Sequence, residues 1–322
     1  MRNINDKTIR ILISKTLKEH KMYLRADTSS DFHMNMRELD NTLTFIREQR
    51  KNSLDLITKY FNKESSLAYL SIVTIGALSL AINQQDVHKG PLPEDWASDN
   101  KFNPNEILSN LFVQITNYSC SVITLVENGL DSAARLILRP LFELISIALI
   151  ISESNEQMIK YREGINEKTS TSVWRDNFRI KHLNERLCQL ESKLGLPSHL
   201  VQYFCKFRSE SYRFYSSISH GAYYSCQLGS YAFPFEKDKD YKLGLFGMGS
   251  FASYGTLNHL NELNYYFLLM IVSVFNKIHN FKAKTDNELW RMVISLRECV
   301  IKTNILIKEI QENGNDFTRN IT

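Results

Sequence analysis

Arg213, Ser216 and His220 recur at helical spacing within the run Tyr212-Arg213-Phe214-Tyr215-Ser216-Ser217-Ile218-Ser219-His220-Gly221. Seven residues make nearly two helical turns, so Arg213 and His220 face the same way about 10 Å apart along the axis. Ser216 lies between them, within reach of the imidazole at the i, i+4 spacing. An imidazole that titrates near neutrality can exchange a proton with a ribose hydroxyl or a leaving oxygen. A guanidinium beside it can stabilise phosphate charge in the transition state. Gly221 would let a ligand or a neighbouring backbone approach closely. The chemistry these types and spacings suit is metal-independent RNA cleavage, and no metal or cofactor is expected.

A second polar set lies upstream. Arg139 and Glu143 are four residues apart in an otherwise apolar stretch, Leu136 to Ile151, and should share one helix face. Arg before Glu is the weaker order for an exposed pair, so intrinsic helix stabilisation does not explain them. A buried pair needs further hydrogen-bond partners to offset desolvation. Arg135 extends the stripe one turn back, and Glu127 lies just before Gly129. Two readings stay open: a buried network that fixes helix register, or the polar floor of a pocket.

The Arg213 and His220 spacing is similar to the R-x(4–6)-H pattern of HEPN proteins, helical domains that include ribonuclease toxins and antiviral defence effectors. That resemblance implies a catalytic Arg and His in a site formed by dimerisation, hence RNA as substrate and a homodimer. The residue after the arginine, often polar in that family, is Phe214 here. A longer resemblance covers about residues 107–280. Leu125-Val126-Glu127-Asn128-Gly129-Leu130, Ala133-Ala134-Arg135-Leu136, Leu138-Arg139-Pro140-Leu141-Phe142-Glu143 and the downstream Tyr215 to Gly221 segment resemble a bacterial family of unknown function, DUF5677. It implies a helical bundle in which the Arg-Glu pair and the Ser-x-x-x-His segment both belong to the family pattern. It supplies no reaction.

The elements that must position these groups are helices. Only 12 glycines and 6 prolines punctuate 322 residues, and none of the prolines precedes Pro91. The expected architecture is all-α: a multi-helix bundle with an N-terminal helical extension and one long loop or small hairpin at Gly229–Ser250. Residues 1–88 form the N-terminal section, 89–104 a linker rich in Gly, Pro, Asp and Asn, and 105–322 the main bundle. Helices are expected near 4–24, from the Ser29-Ser30-Asp31 caps to Phe61, and over 65–83, 105–128, 131–153, 173–194, 197–228, 251–279 and 286–312, with a short one ending near Glu163. Pro140 falls inside the Asp131 helix.

Composition excludes several classes. A hydrophobic share of 43% against 23% charged residues reads as a soluble, globular chain. A net charge of +4 is too small to predict nucleic-acid or membrane binding from bulk electrostatics. Its surplus lies in residues 1–63, with 13 basic and 8 acidic side chains, which a solvated helical face explains more simply than a polyanion contact. Five scattered cysteines without C-x-x-C spacing suit a reducing cytoplasm. The Leu144 to Ile151 run is too short to span a bilayer, and no span is expected. P-loop, H-E-x-x-H and G-x-S-x-G motifs are missing. The alternative to RNA cleavage is a non-catalytic protein-interaction module, in which the Arg, Glu and His residues organise the core while the basic arm or the aromatic loop binds another protein.

Overall fold

The computed structural model describes residues 7–24, 35–85, 104–165, 167–219, 223–236, 239–283 and 286–312. Over these residues the chain is an all-α bundle. Its helices are α1 (Lys7–Leu24), α2 (Met36–Tyr60), α3 (Asn62–Ala81), α4 (Pro104–Glu127), α5 (Asp131–Glu153), α6 (Asn155–Arg162), α7 (Glu167–Asn177), α8 (Ile180–Lys193), α9 (Ser198–Ser219), α10 (Tyr223–Ser230), α11 (Ser253–Lys277) and α12 (Glu288–Glu312). The expected small hairpin is present as two short antiparallel strands, β1 (Tyr231–Ala232) and β2 (Lys242–Leu243), pairing Tyr231 with Leu243.

The core is built on α3, α4, α5 and α11, with α12 against α3. Helix α3 is apolar nearly all round because it is packed on several sides. It is long and apolar enough by composition to cross a membrane, and two thirds of that stretch, 67%, is buried inside the bundle. A buried polar chain fixes the register of three core helices. Ser119 of α4 donates to Asn264 of α11 at 3.1 Å, and Asn264 donates to Ser71 of α3 at 3.0 Å. Each member is hydrogen-bonded, so the chain specifies alignment without an orphaned buried group.

Two glycines lock the start of α5 to the loop before α11. Gly129 and Gly247 both have positive φ, +72° and +90°, and a Cβ on Gly129 would lie 2.5 Å from the Gly247 carbonyl carbon. Such an approach excludes any side chain, so the loop before α11 fits closely against the start of α5 at Gly247.

Several boundaries differ from expectation for local reasons. The 173–194 helix is two helices: buried Phe178 and extended Arg179 (φ −64°, ψ 141°) separate α7 from α8. The 197–228 helix is α9 and α10, with residues 220–222 outside the described set. Asp131 is the first residue of α5, and its carboxylate is committed to Arg135 and Thr256. Asn35 caps α2 by accepting from the Arg37 and Glu38 amides, while Ser29, Ser30 and Asp31 fall outside the described residues, as does 89–103 of the linker. On α1, Ile9 and Leu12 are exposed.

Candidate functional site

Arg139 sits midway along α5, which continues through Pro140. Its guanidinium faces Glu143 one turn on, with Nε donating to Glu143 Oε1 at 3.2 Å. The same group reaches across to α9. Nη1 donates to Ser219 Oγ at 2.7 Å, Nη2 lies 3.5 Å from the Tyr212 hydroxyl, and the guanidinium carbon stands 5.5 Å from the Tyr212 ring centre. Tyr212 and Ser219 are seven residues apart, so one α9 face presents both. Arg139 thus ties the Arg-Glu couple to the last residue of α9, immediately before His220. Its side chain is 26% exposed and that of Glu143 21%, so water reaches the pair.

Of the other sequence candidates on α9, Arg213 is exposed and forms no ion pair or hydrogen bond among the described residues, while Ser216 is half-buried and its carbonyl accepts from Ser219 Oγ at 3.0 Å. His220 and Gly221 lie outside the described residues.

Arg135 and Glu127 belong elsewhere. Buried Arg135 pairs with Asp131 at 2.6 Å and donates to Thr256 and to the Ala252 carbonyl, which holds the start of α11 on α5. Glu127 accepts from Tyr69 of α3 at 2.7 Å. Burial, then that hydrogen bond, pushes the Tyr69 phenol well above its ordinary range. Being one turn back on the stripe carries Arg135 toward α11 and away from α9.

The deepest ion pair is one the sequence reading missed. Arg208 of α9 and Glu191 of α8 are both wholly buried and directly paired. Tyr266 of α11 donates to Glu191 at 2.6 Å, Arg208 Nη1 donates to Tyr266 at 2.9 Å, and Arg208 Nε donates to Asn184 at 3.2 Å. Cys188 and Cys205 are disulfide-bonded beside this cluster, and Arg208 Nη2 lies 3.1 Å and 3.4 Å from their sulfurs. A signal was available. Cys188 and Cys205 stand at comparable distances before and after the Leu194–Pro197 turn, so an antiparallel helical hairpin brings them together, and the long side chains of Glu191 and Arg208, each about one turn along, span the remaining gap. Cys188, Glu191 and Cys205 also offer ligand atoms within 4.8 Å of one another. Bonded sulfurs are not thiolate ligands, however, and the cation among these groups is the Arg208 guanidinium.

His259 of α11 packs against α9 and is partly buried. It stacks on Phe214 at 5.4 Å, and its Nδ1 lies 3.2 Å from the Tyr215 hydroxyl. Burial, then the positive charge of Arg135, holds its pKa down to about 4, so the ring is neutral at pH 7.

Residues 105–191 match a family of unknown function, DUF5677. The DUF5677 match runs from the start of α4 to near the end of α8 and therefore includes Arg139, Glu143, Arg135 and Glu127. It ends before α9, so the Tyr215 to Gly221 run lies beyond it. No curated protein and no solved structure matches the chain.

Proposed function

We propose that the chain cleaves RNA without a metal, at the C-terminal end of α9. In this reading His220 transfers the proton, Arg213 holds the phosphate, and Arg139 with Glu143 and Ser216 positions them. The observation that carries it is the 2.7 Å hydrogen bond from Arg139 to Ser219. It brings a partly solvated guanidinium-carboxylate couple next to the chain position of the imidazole, while exposed Arg213 stands nearly two turns back along α9 with no ion pair or hydrogen bond among the described residues. A fully paired, dry cluster would argue against chemistry. The couple at Arg139 is water-accessible, whereas the sealed network is the separate one at Arg208. By analogy with HEPN ribonucleases the proposed active form is a homodimer, and the role proposed for it is that of a toxin or phage-defence effector in a bacterial cytoplasm.

The test is RNA degradation in the presence of a chelator, together with growth on expression, for wild type, His220→Ala and Arg213→Ala, each checked for folding by circular dichroism. Cleavage by wild type and its loss in both folded variants supports the reading. Intact RNA and normal growth with wild type reject it.

A protein-interaction module is the second reading. It is favoured by the exposure of Tyr223, Tyr241, Leu243 and Leu245 around the hairpin and of Ile9, Ile11 and Leu12 on α1. Apolar side chains clustered on a surface mark contact sites more often than catalytic ones.

A further inference from the structure

A cavity of about 600 Å³ opens between α4 and α5 on one side and the α6–α7 segment on the other. None of the Arg139 cluster lines it, and all of its lining residues fall within the DUF5677 segment. Its volume lies in the range of small-molecule sites, and its walls have their character, mostly apolar with a few polar groups. Val113, Leu144 and Val173 supply aliphatic surface, Tyr161 and Trp174 flat aromatic surface, and Phe178 lies edge-to-face with Tyr161 at 5.6 Å. Trp174 is 41% exposed, an unusual fraction of such a ring to leave in water beside an apolar hollow. The polar lining is cationic or neutral. Asn110 and Gln114 bring carboxamides, Arg162 brings the only charge, and no carboxylate lines the cavity among the described residues.

We propose that this cavity binds a small organic anion with an aromatic body, the ring system packed against Trp174 and Tyr161 and the acid group held by Arg162. An aromatic body uses the flat walls, and an anionic end uses the one charged lining residue at a charge-assisted hydrogen bond. The proposal is independent of RNA cleavage, since it uses no residue of that site.

Two fluorescent probes with the same anilinonaphthalene body test it: the sulfonate 1-anilinonaphthalene-8-sulfonate and the uncharged N-phenyl-1-naphthylamine, titrated into the full-length protein. Wild type is expected to bind the sulfonate at one site, about tenfold more tightly than the neutral probe. Arg162→Gln should bring the two affinities together, and Arg162→Lys should restore part of the difference. Val113→Trp, a substitution on the opposite and partly exposed wall, should abolish binding of both while circular dichroism stays unchanged. Failure of wild type to bind either probe, equal affinity for both, or binding unaffected by Val113→Trp would overturn the proposal.

Discussion

Arg139 Nη1 stands 2.7 Å from Ser219 Oγ, joining two residues 80 positions apart in sequence and closing the mid-point of α5 onto the end of α9. The bond does not bury the guanidinium, which keeps contact with water on one side and with Glu143 on the other. A residue so placed sets where the α9 terminus lies. On the proposed reading, Arg139→Ala is expected to lower single-turnover RNA cleavage about 100-fold, the cost of misplacing a reacting group by an ångström or so. Its effect on urea stability should be no more than about 1 kcal/mol, because a partly solvated ion pair contributes little. Arg139→Lys, which keeps the charge but not the fork that spans Glu143 and Ser219, should fall between the two in activity.

The Arg208–Glu191 pair is expected to behave in the opposite way. Removing one charge leaves the other buried without its counter-ion, so Arg208→Met should cost about 3–5 kcal/mol in urea denaturation. The double variant Arg208→Met, Glu191→Leu should recover most of that loss. A double variant as unstable as the sum of the singles would mean that the two charges are not coupled and would contradict this account.

Thiol counting separates the cysteines. Cys120, Cys226 and Cys299 are free, and Cys188 is bonded to Cys205. Unfolded, unreduced protein should therefore react with a thiol reagent at three sites, and reduced protein at five. Reduction should also lower stability by about 3 kcal/mol, the entropy released by opening a loop of this size. Five reactive thiols before reduction would show that the α8–α9 hairpin is held by packing and by the Arg208 network alone.

His259 gives a pH dependence with a definite sign. Its pKa is pushed down from 6.5 to about 4 in the folded chain, so between those values the unfolded state binds the extra proton. Stability from this group is fully present above pH 6.5 and declines as pH falls toward 4, by on the order of 3 kcal/mol. Chemical denaturation at pH 7 and pH 4.5 measures it. In His259→Phe, which keeps the stack on Phe214, the loss across this interval should shrink.

Helices and hairpin were legible because their signals are local. The apolar content of α3, the Gly129 break and the Gly229–Ser250 punctuation each act within a few residues. The 139/143 pair was legible for the same reason, as i, i+4 spacing on an apolar helix. Its tie to Ser219 was not, because nothing at either position encodes an 80-residue closure. Arg135 was grouped with Arg139 by stripe continuity, yet a turn of helix rotates it enough to meet Thr256 and Ala252 instead. The α7–α8 break escaped notice because Phe178 and Arg179 carry no glycine or proline. Burial of the phenylalanine ends the helix there, and burial is a tertiary fact.

The most direct measurement is a double-mutant cycle on RNA cleavage rate in chelator, using wild type, Arg139→Ala, His220→Ala and the double variant. If Arg139 acts by positioning the group at 220, the double variant should be no slower than His220→Ala alone, because the positioning residue has nothing left to position. Independent, multiplicative losses would contradict that coupling, and a wild type that leaves RNA intact would contradict the account at its root.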